Sequence, residues 1–341
     1  MLRILSFNVL APHFSDPQYY PLGSNNQLDC ENRRIRIISF LSLMMNLCDI
    51  IALQEVTMDT IIKFNDKDYY HPGELKYYQQ CLDSEFVGNF YPHDVSYSNE
   101  WKFYSLDSPY SYIETGNALF FRRSSFTNPL WKDLDLEIDA SIYSDRKLFP
   151  IGNHAIYGEA IHLISGRPIR IINPHLSSES PQVRILEFQQ VLNQLPFNSQ
   201  SLDIIVGDFN NGLDIPPFQE IINQHKFRDA LSGIDDKLTY SMYDRPRKRF
   251  PVDHIIFRGD NINVESNNSH ENHGFPEFTI TGVIDSRLWT KYPYNGVISS
   301  HNGITNAHDK IIDVHQKTRL QECLDIYGSD HIPIIATLNI R

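Results

Sequence analysis

The run Ile204-Ile205-Val206-Gly207-Asp208-Phe209-Asn210 ends an aliphatic segment on a carboxylate and, two residues later, an amide. In extended chain, alternate positions share a face. Asp208 and Asn210 can therefore hold a metal-bound water together, although Gly-Asp-x-Asn is also ordinary turn chemistry. Leu53-Gln54-Glu55-Val56 closes another aliphatic run on Glu55. Such a carboxylate suits a hard cation, and an ordinary loop or helix-start carboxylate is the plainer reading of that motif alone. In Ser6-Phe7-Asn8-Val9-Leu10 an amide lies inside an apolar run. It is costly there unless its hydrogen bonds are made, and a structural partner meets that need as well as a ligand does. Asn173-Pro174-His175-Leu176 and Ser329-Asp330-His331-Ile332-Pro333 place histidines at the borders of apolar segments, and Asp253-His254 opens Ile255-Ile256-Phe257. A single histidine is more often structural than catalytic, and an Asp-His pair can serve as a cap.

The elements that position these residues follow from periodicity. Residues 2–9 read as a strand. Ile37, Leu41, Met44 and Leu47 recur at helical spacing within 32–47, and residues 49–53 form a second strand that stops at Gln54-Glu55. The second half repeats the plan. Residues 167–173 are a strand, residues 182–195 place Ile185, Phe188, Leu192 and Leu195 on one helix face, and 202–206 is a strand ending at Gly207-Asp208. Asn8, Glu55, His175 and Asp208 thus fall where apolar strands stop, the place where open sheets carry their sites. A two-fold arrangement of the halves brings the four ends to one rim. Further strands are expected at 117–121, 155–163, 252–257 and 332–340. The packing these elements favour is a four-layer α/β/β/α sandwich of two stacked mixed β-sheets with outer helices.

The chain has 341 residues, 41% of them hydrophobic and 12% aromatic, so it can build a large core and is not disordered as a whole. No Gly/Ser/Pro linker divides it. One domain over 1–341 is expected, with an insertion at about 258–328 holding His270, His273, His301, His308, His315, Trp289, Tyr292 and a short helix near 317–327. A long insertion anchored beside the rim is expected to form a wall or lid that sets which substrates enter. Cys30, Cys48, Cys81 and Cys323 show no C-x-x-C spacing, which fits free thiols in a reducing compartment. The opening MLRILSFNVLAP is too short and interrupted for a signal peptide, and no membrane-length apolar run follows. An intracellular, cytoplasmic or nuclear protein is expected, without a membrane. The net charge of −12 argues against non-specific nucleic-acid binding. It does not argue against a centre whose carboxylates a bound cation offsets. The basic cluster Arg245, Arg247, Lys248 and Arg249, followed by Phe250, lies only a few residues before Asp253. It is either a flanking-phosphate site or a solvated loop.

Taken together and in this order, the motifs resemble the endonuclease/exonuclease/phosphatase superfamily. Its members carry an Asn in a first strand, then Gln-Glu, a His strand, Gly-Asp-x-Asn, an Asp strand and Ser-Asp-His. All six are present between Asn8 and His331, and joint agreement is far more specific than any one motif. Asn8-Val9-Leu10-Ala11 with a long loop and a helix over 31–47 looks like the deadenylase and nocturnin-like branch. So do Thr115-Gly116-Asn117-Ala118-Leu119-Phe120-Phe121 and the Val183-Arg184…Gln189 helix. Leu10 stands where abasic-site endonucleases usually carry Asp. Deadenylases carry an aromatic before the late Asp strand that stacks on adenine. Phe250 can fill that place, and Arg249-Phe250 is also similar to tyrosyl-DNA phosphodiesterases.

The resemblance implies a phosphodiesterase using one or two Mg²⁺ ions, with Mn²⁺ able to substitute. Such a reaction needs a nucleophile near neutral pH, charge stabilisation and help for the leaving oxygen, and a metal supplies much of each. Glu55 is expected as principal ligand with Asn8 supporting, and Asp330 completes the metal environment. Asp208 orients or deprotonates the water, and Asn210 fixes its position. His331 lies against the scissile phosphate with Asp253 on its other ring nitrogen, and His175 donates to a phosphate oxygen. Asn117, Arg245, Arg247, Lys248, Arg249 and Phe250 are the substrate-binding candidates. The leading expectation is a 3′-to-5′ exoribonuclease of the deadenylase kind, with RNA preferred over DNA. The alternatives are a 5′-tyrosyl-DNA phosphodiesterase or other DNA-end processor, a phosphatase on a nucleotide, inositol phosphate or lipid head group, and a non-catalytic nucleic-acid-binding module.

Overall fold

Ile50–Thr57 is buried at every position, and so is Leu202–Asp208. Strands enclosed in this way need cover on both faces. A computed structural model describes residues 1–12, 29–64, 67–92, 115–127, 129–136, 153–178, 180–232, 251–264, 282–283, 327 and 329–340. The elements run β1 (Leu2–Asn8), α1 (Cys30–Met44), β2 (Ile50–Thr57), β3 (Thr60–Phe64), β4 (Lys67–His71), α2 (Leu75–Leu82), β5 (Phe86–Pro92), β6 (Thr115–Arg122), β7 (Leu130–Leu136), β8 (Asn153–Ile161), β9 (Pro168–Pro174), α3 (Pro181–Asn193), β10 (Leu202–Asp208), α4 (Phe218–Gln224), β11 (Arg228–Asp229), β12 (Asp253–Arg258), β13 (Ile262–Val264), β14 (Gly282–Val283) and β15 (Ile334–Ile340).

One sheet has the order β13-β15-β1-β2-β6-β5, with β14 also on β15, and the other has β7-β8-β9-β10-β12-β11. The two match position by position. β1 and β2 pair in parallel, as do β9 and β10, and the other pairings along each order are antiparallel. The repeated strand–helix–strand plan is therefore a repeat in three dimensions.

Alternation along each strand divides the apolar residues between three cores. Leu2, Ile4, Ile50, Ala52, Ile169, Ile171, Ile204, Val206, Ile255 and Phe257 pack between the sheets. Leu5, Phe7, Ile51 and Leu53 face outward against Ile37, Phe40, Leu41 and Met44 of α1 and Tyr78 and Leu82 of α2. Ile172, Ile205 and Ile256 do the same against Phe188, Val191 and Leu192 of α3 and Phe218 of α4. These are the expected four layers. Both long helices start where a side chain caps them: Asp29 accepts the Asn32 N–H, and Ser180 accepts the Val183 N–H with Pro181 behind it.

Some elements differ from the sequence expectation. β2 does not stop at Gln54-Glu55 but absorbs both through a register shift between Leu53 and Val56. β5 (FVGNFYP) and β7 (LWKDLDL) are edge strands whose glycine, proline and charges mask their extended form. Within the expected insertion, β13 and β14 both pair with β15, so this stretch contributes strands to the sheet. Tyr327 packs edge-on to Phe7 and Phe40. His270, His273, His301, His308, His315, Trp289 and Tyr292 lie outside the described residues. Among the described residues no helix is long and apolar enough to cross a membrane.

Ile204 is fully enclosed between the sheets, whereas Ile164 is 82% exposed. Ile204→Ala is expected to lower unfolding free energy by about 2–5 kcal/mol in chemical denaturation, and Ile164→Ala by no more than about 0.5 kcal/mol. Equal losses would contradict the assignment of the inter-sheet core.

Candidate metal centre

The inward-facing set that builds the inter-sheet core turns polar at one end. Ile4-Ser6-Asn8 in β1, Ile204-Val206-Asp208 in β10 and Ile169-Ile171-Asn173 in β9 follow the same alternation, each ending on a polar side chain. β12 runs antiparallel to β10, so its first residue, Asp253, is the register partner of Asp208. β15 runs antiparallel to β1, so Asp330 and His331, just before it, arrive beside Asn8. Six motifs spread from Asn8 to His331 thus meet at one rim. Gly207 allows the closest approach there: a Cβ would come within 2.1 Å of the Pro174 carbonyl. At this point His175 and Asp208 form a parallel bridge.

Asp208 Oδ2 is the hub of the centre. The Asn8 amide nitrogen donates to it at 3.1 Å and to Glu55 Oε1 at 2.8 Å. His175 Nε2 lies 3.6 Å from Asp208 Oδ2 and 3.9 Å from Glu55 Oε1. His331 Nε2 lies 3.8 Å from Asp208 Oδ2 and 3.9 Å from Asp330 Oδ1, while its Nδ1 meets Asp253 Oδ2 at 2.9 Å. Asp208 Oδ1 accepts the Asn210 N–H at 2.8 Å, and the Asn210 amide donates to the Leu176 carbonyl. The hydroxyl of Ser329 donates to the Asn8 carbonyl and accepts the His331 N–H, which fixes the Asp-His turn against β1.

Three of the left-handed residues fall at this rim. Leu10, Glu55 and Asn210 all have left-handed φ, at 54°, 58° and 50°. Non-glycine residues rarely adopt this region, and such outliers collect at functional sites. At Glu55 the left-handed residue is the bulge in β2, which swings its carboxylate toward the rim, where Oε2 accepts the Ala11 N–H at 2.9 Å. Asn173 reaches across from the other sheet to the strand pair that the bulge interrupts. Its amide donates to the Leu53 and Ala118 carbonyls at 2.9 and 3.0 Å, and its Oδ1 accepts from Gln54 at 2.7 Å.

Burial and the neighbouring Asp253 carboxylate hold Asp208 above the usual carboxylate range, against the pull of His175, His331 and the Asn210 N–H. Burial also acts to raise Glu55, but His175, His331, Asn8 and the Ala11 N–H outweigh it, and Glu55 lies below its usual value. Burial disfavours the His331 imidazolium, yet Asp253, Asp330 and Asp208 hold it well above the ordinary imidazole range. The centre therefore combines an ionised carboxylate, a carboxylate with raised proton affinity and a histidine kept charged.

The donor set fits a hard divalent cation. Ligand atoms of Asp208, Asp253 and His331 lie within 4.8 Å of one another. Asp253 Oδ1 is buried without a hydrogen-bond partner among the described residues. The 2.9 Å contact between His331 and Asp253 is itself a hydrogen bond. Glu55 and Asp330 bring further carboxylate oxygens within 3.9 Å of His175 and His331, respectively. Asn8 turns its nitrogen to the carboxylates and uses Oδ1 to accept the Leu10 N–H at 3.0 Å, so here it orients Glu55 and Asp208 as a donor.

Asn117 is fully buried on the inward face of β6. It donates to the His154 carbonyl at 2.8 Å, and its Oδ1 has no hydrogen-bond partner among the described residues. Arg245, Arg247, Lys248, Arg249 and Phe250 lie outside the described residues. His254 turns away from the rim, with Nε2 on the Asn211 carbonyl. Sequence reading gave no role to the Ala11 N–H, the Asn173 bridge or the Ser329 hydroxyl. Only Asn173, an amide inside an apolar run like Asn8, carries a signal that alternation could have exposed.

No family model and no curated protein matches the sequence. Solved structures do match. The catalytic domain of human nocturnin with bound sulfate is 16% identical, with a TM-score of 0.59 over 100% of this chain and 94% of that one. An endonuclease/exonuclease/phosphatase from Bacteroides vulgatus is 13% identical, with a TM-score of 0.59 over 100% and 99%. ANGEL2, described as a 2′,3′-cyclic phosphatase, is 14% identical, with a TM-score of 0.58 over 99% and 94%. At these identities the likeness is one of fold: the chain has the endonuclease/exonuclease/phosphatase fold.

The His331–Asp253 pair has a direct spectroscopic consequence. In the metal-free protein, Asp253→Asn removes the largest attraction acting on the imidazolium. The His331 pKa followed by NMR titration is expected to fall toward the ordinary imidazole range, and an unchanged titration would contradict the pairing.

Proposed function

We propose that this chain, read as a single domain, is a divalent-metal-dependent phosphoesterase that cleaves phosphodiester bonds. Its leading substrate is RNA, degraded from the 3′ end in the manner of a deadenylase. The observation that carries the reading is the hub at Asp208, where one amide nitrogen and two imidazole Nε2 atoms converge on carboxylates from both sheets. The six ordered motifs support the nuclease branch.

Glu55, Asp208 and Asp330 would hold Mg²⁺ or Mn²⁺, as one or two ions, with Asn8 and Asn210 orienting the set. The ion supplies Lewis acidity to a phosphoryl oxygen and acidifies water. Asp208, whose Oδ2 faces both histidines, takes the proton of the attacking water as the new O–P bond forms. His331, paired with Asp253, faces the scissile phosphate with Nε2–H and gives that proton to the leaving oxygen as the P–O bond breaks, so that the alcohol departs neutral. His175 faces the same carboxylates from β9 and donates to a non-bridging oxygen. Burial strengthens each of these interactions over its value in water.

A second reading, hydrolysis of a small or terminal phosphate ester, is favoured by the net charge of −12, which opposes a long polyanion. In that case the basic cluster at Arg245, Arg247, Lys248 and Arg249 is solvent-facing. In the nucleic-acid reading it binds flanking phosphates, with Phe250 and Asn117 contacting the substrate.

Four experiments check these assignments. Hydrolysis should vanish in EDTA and return with Mg²⁺ or Mn²⁺, and Asp208→Ala should lower the rate by several orders of magnitude without unfolding the protein. A panel of poly(A), mixed RNA, single- and double-stranded DNA, 5′-phosphotyrosyl DNA and 2′,3′-cyclic nucleotides identifies the substrate, and full activity in chelator sinks the mechanism. Replacing the four basic residues with Ala should flatten the salt dependence of RNA binding, whereas an unchanged slope would favour the small-ester reading.

A further inference from the structure

Two arginines occupy equivalent places in the duplicated halves. Arg33 stands four residues after Asp29, the N-cap of α1, and Arg184 four residues after Ser180, the N-cap of α3. Both are buried, although a buried guanidinium is costly unless its donors are engaged. Each uses them on two consecutive carbonyls of the segment that leaves a rim strand. Arg33 donates to the carbonyls of Val9, at 2.7 Å, and Leu10. Arg184 donates to the carbonyls of Ser177 and Ser178, at 2.7 and 2.9 Å.

The two segments serve different parts of the centre. In the first, Leu10 is left-handed, its N–H holds Asn8 Oδ1, and the next N–H, of Ala11, holds Glu55 Oε2. In the second, the Leu176 N–H bonds to the Asp208 carbonyl, and the Leu176 carbonyl accepts the Asn210 amide. His175 precedes this segment, and the Ser177 N–H is held by Glu187 Oε2 at 2.7 Å. We infer that Arg33 and Arg184 are positioning residues with divided tasks: Arg33 sets the metal carboxylate Glu55 through Leu10-Ala11, and Arg184 sets His175 and Asn210 through the segment 176–178.

The inference rests on the metal-dependent reading above and gains its test from the division of labour. In each arginine one terminal guanidinium nitrogen reaches both carbonyls. Lysine keeps the charge, but its flexible ammonium is not held in place by a rigid guanidinium plane. Arg258 is a control, since it is equally buried at the far end of β12, where it pairs with Asp203 at 2.8 Å. Mn²⁺ binding by calorimetry, melting temperature, and kcat on bis(para-nitrophenyl) phosphate at saturating Mn²⁺ are measured for Arg33→Lys, Arg184→Lys and Arg258→Lys. Arg33→Lys is expected to weaken Mn²⁺ binding by roughly 10–100-fold while kcat at saturating metal recovers. Arg184→Lys is expected to keep Mn²⁺ affinity within about threefold and to lose about tenfold or more in kcat. Arg258→Lys should lower only the melting temperature. If a lysine variant does not fold, Arg33→Gln and Arg184→Gln, which retain an NH₂ donor, carry the same comparison. Matching signatures for the two sites, or changes no larger than those of Arg258→Lys, would overturn the inference alone. Absence of Mn²⁺ binding by the unsubstituted protein would overturn the metal reading and the inference with it.

Discussion

Glu55 and Asp208 belong to different sheets and carry like charge, and the amide nitrogen of Asn8 donates to both, at 2.8 and 3.1 Å. Holding two buried carboxylates this close is costly unless positive charge or donors answer them. Several of the surrounding groups are of that kind. His175 and His331 aim Nε2 at the pair, the N–H groups of Ala11 and Asn210 cap the remaining oxygens, and Asp253 keeps His331 charged. A divalent cation, as proposed, would complete the balance that these positive charges leave open. The raised proton affinity of Asp208 and the depressed one of Glu55 are two results of one crowded arrangement.

Stability for that arrangement comes from below it. Three apolar cores enclose both faces of both sheets, and the polar rim starts where the inward alternation of the same strands runs out. The centre can therefore tolerate three left-handed residues and a bulge, because rigid strands over-determine their conformation. Asn173 shows the coupling most directly. It extends from the sheet that carries His175 and Asp208 to the strand pair interrupted beside Glu55. The spacing between the halves is thus set by a cross-sheet hydrogen bond as well as by packing.

Much of this was legible in the residues. Apolar runs at 2–9, 49–53, 167–173 and 202–206, each pair separated by a helical pattern, gave the duplicated unit and with it the four-layer architecture. The ends of those runs marked the residues that the fold gathers. What the sequence hid has physical causes. β5 and β7 are edge strands whose composition suits an exposed border as well as a loop. The bulge at Glu55 reads as a strand end because the residue that bridges it, Asn173, lies more than a hundred positions away in the chain. Arg33 and Arg184 look like solvated helix charges until the carbonyls they hold are known. The direction of the Asn8 amide also has no sequence signal: its nitrogen faces the carboxylates while its oxygen accepts the Leu10 N–H.

The central claim is that carboxylates from both sheets form one cation centre beneath the phosphate site. The most direct measurement is the anomalous scattering of Mn²⁺ in crystals of the protein soaked with that ion. The expected result is a peak in bonding contact with Glu55 and at least one of Asp208 and Asp330, with His331 still paired to Asp253. A protein that takes up Mn²⁺ elsewhere, or leaves this rim without a peak at saturating concentration, would contradict the account.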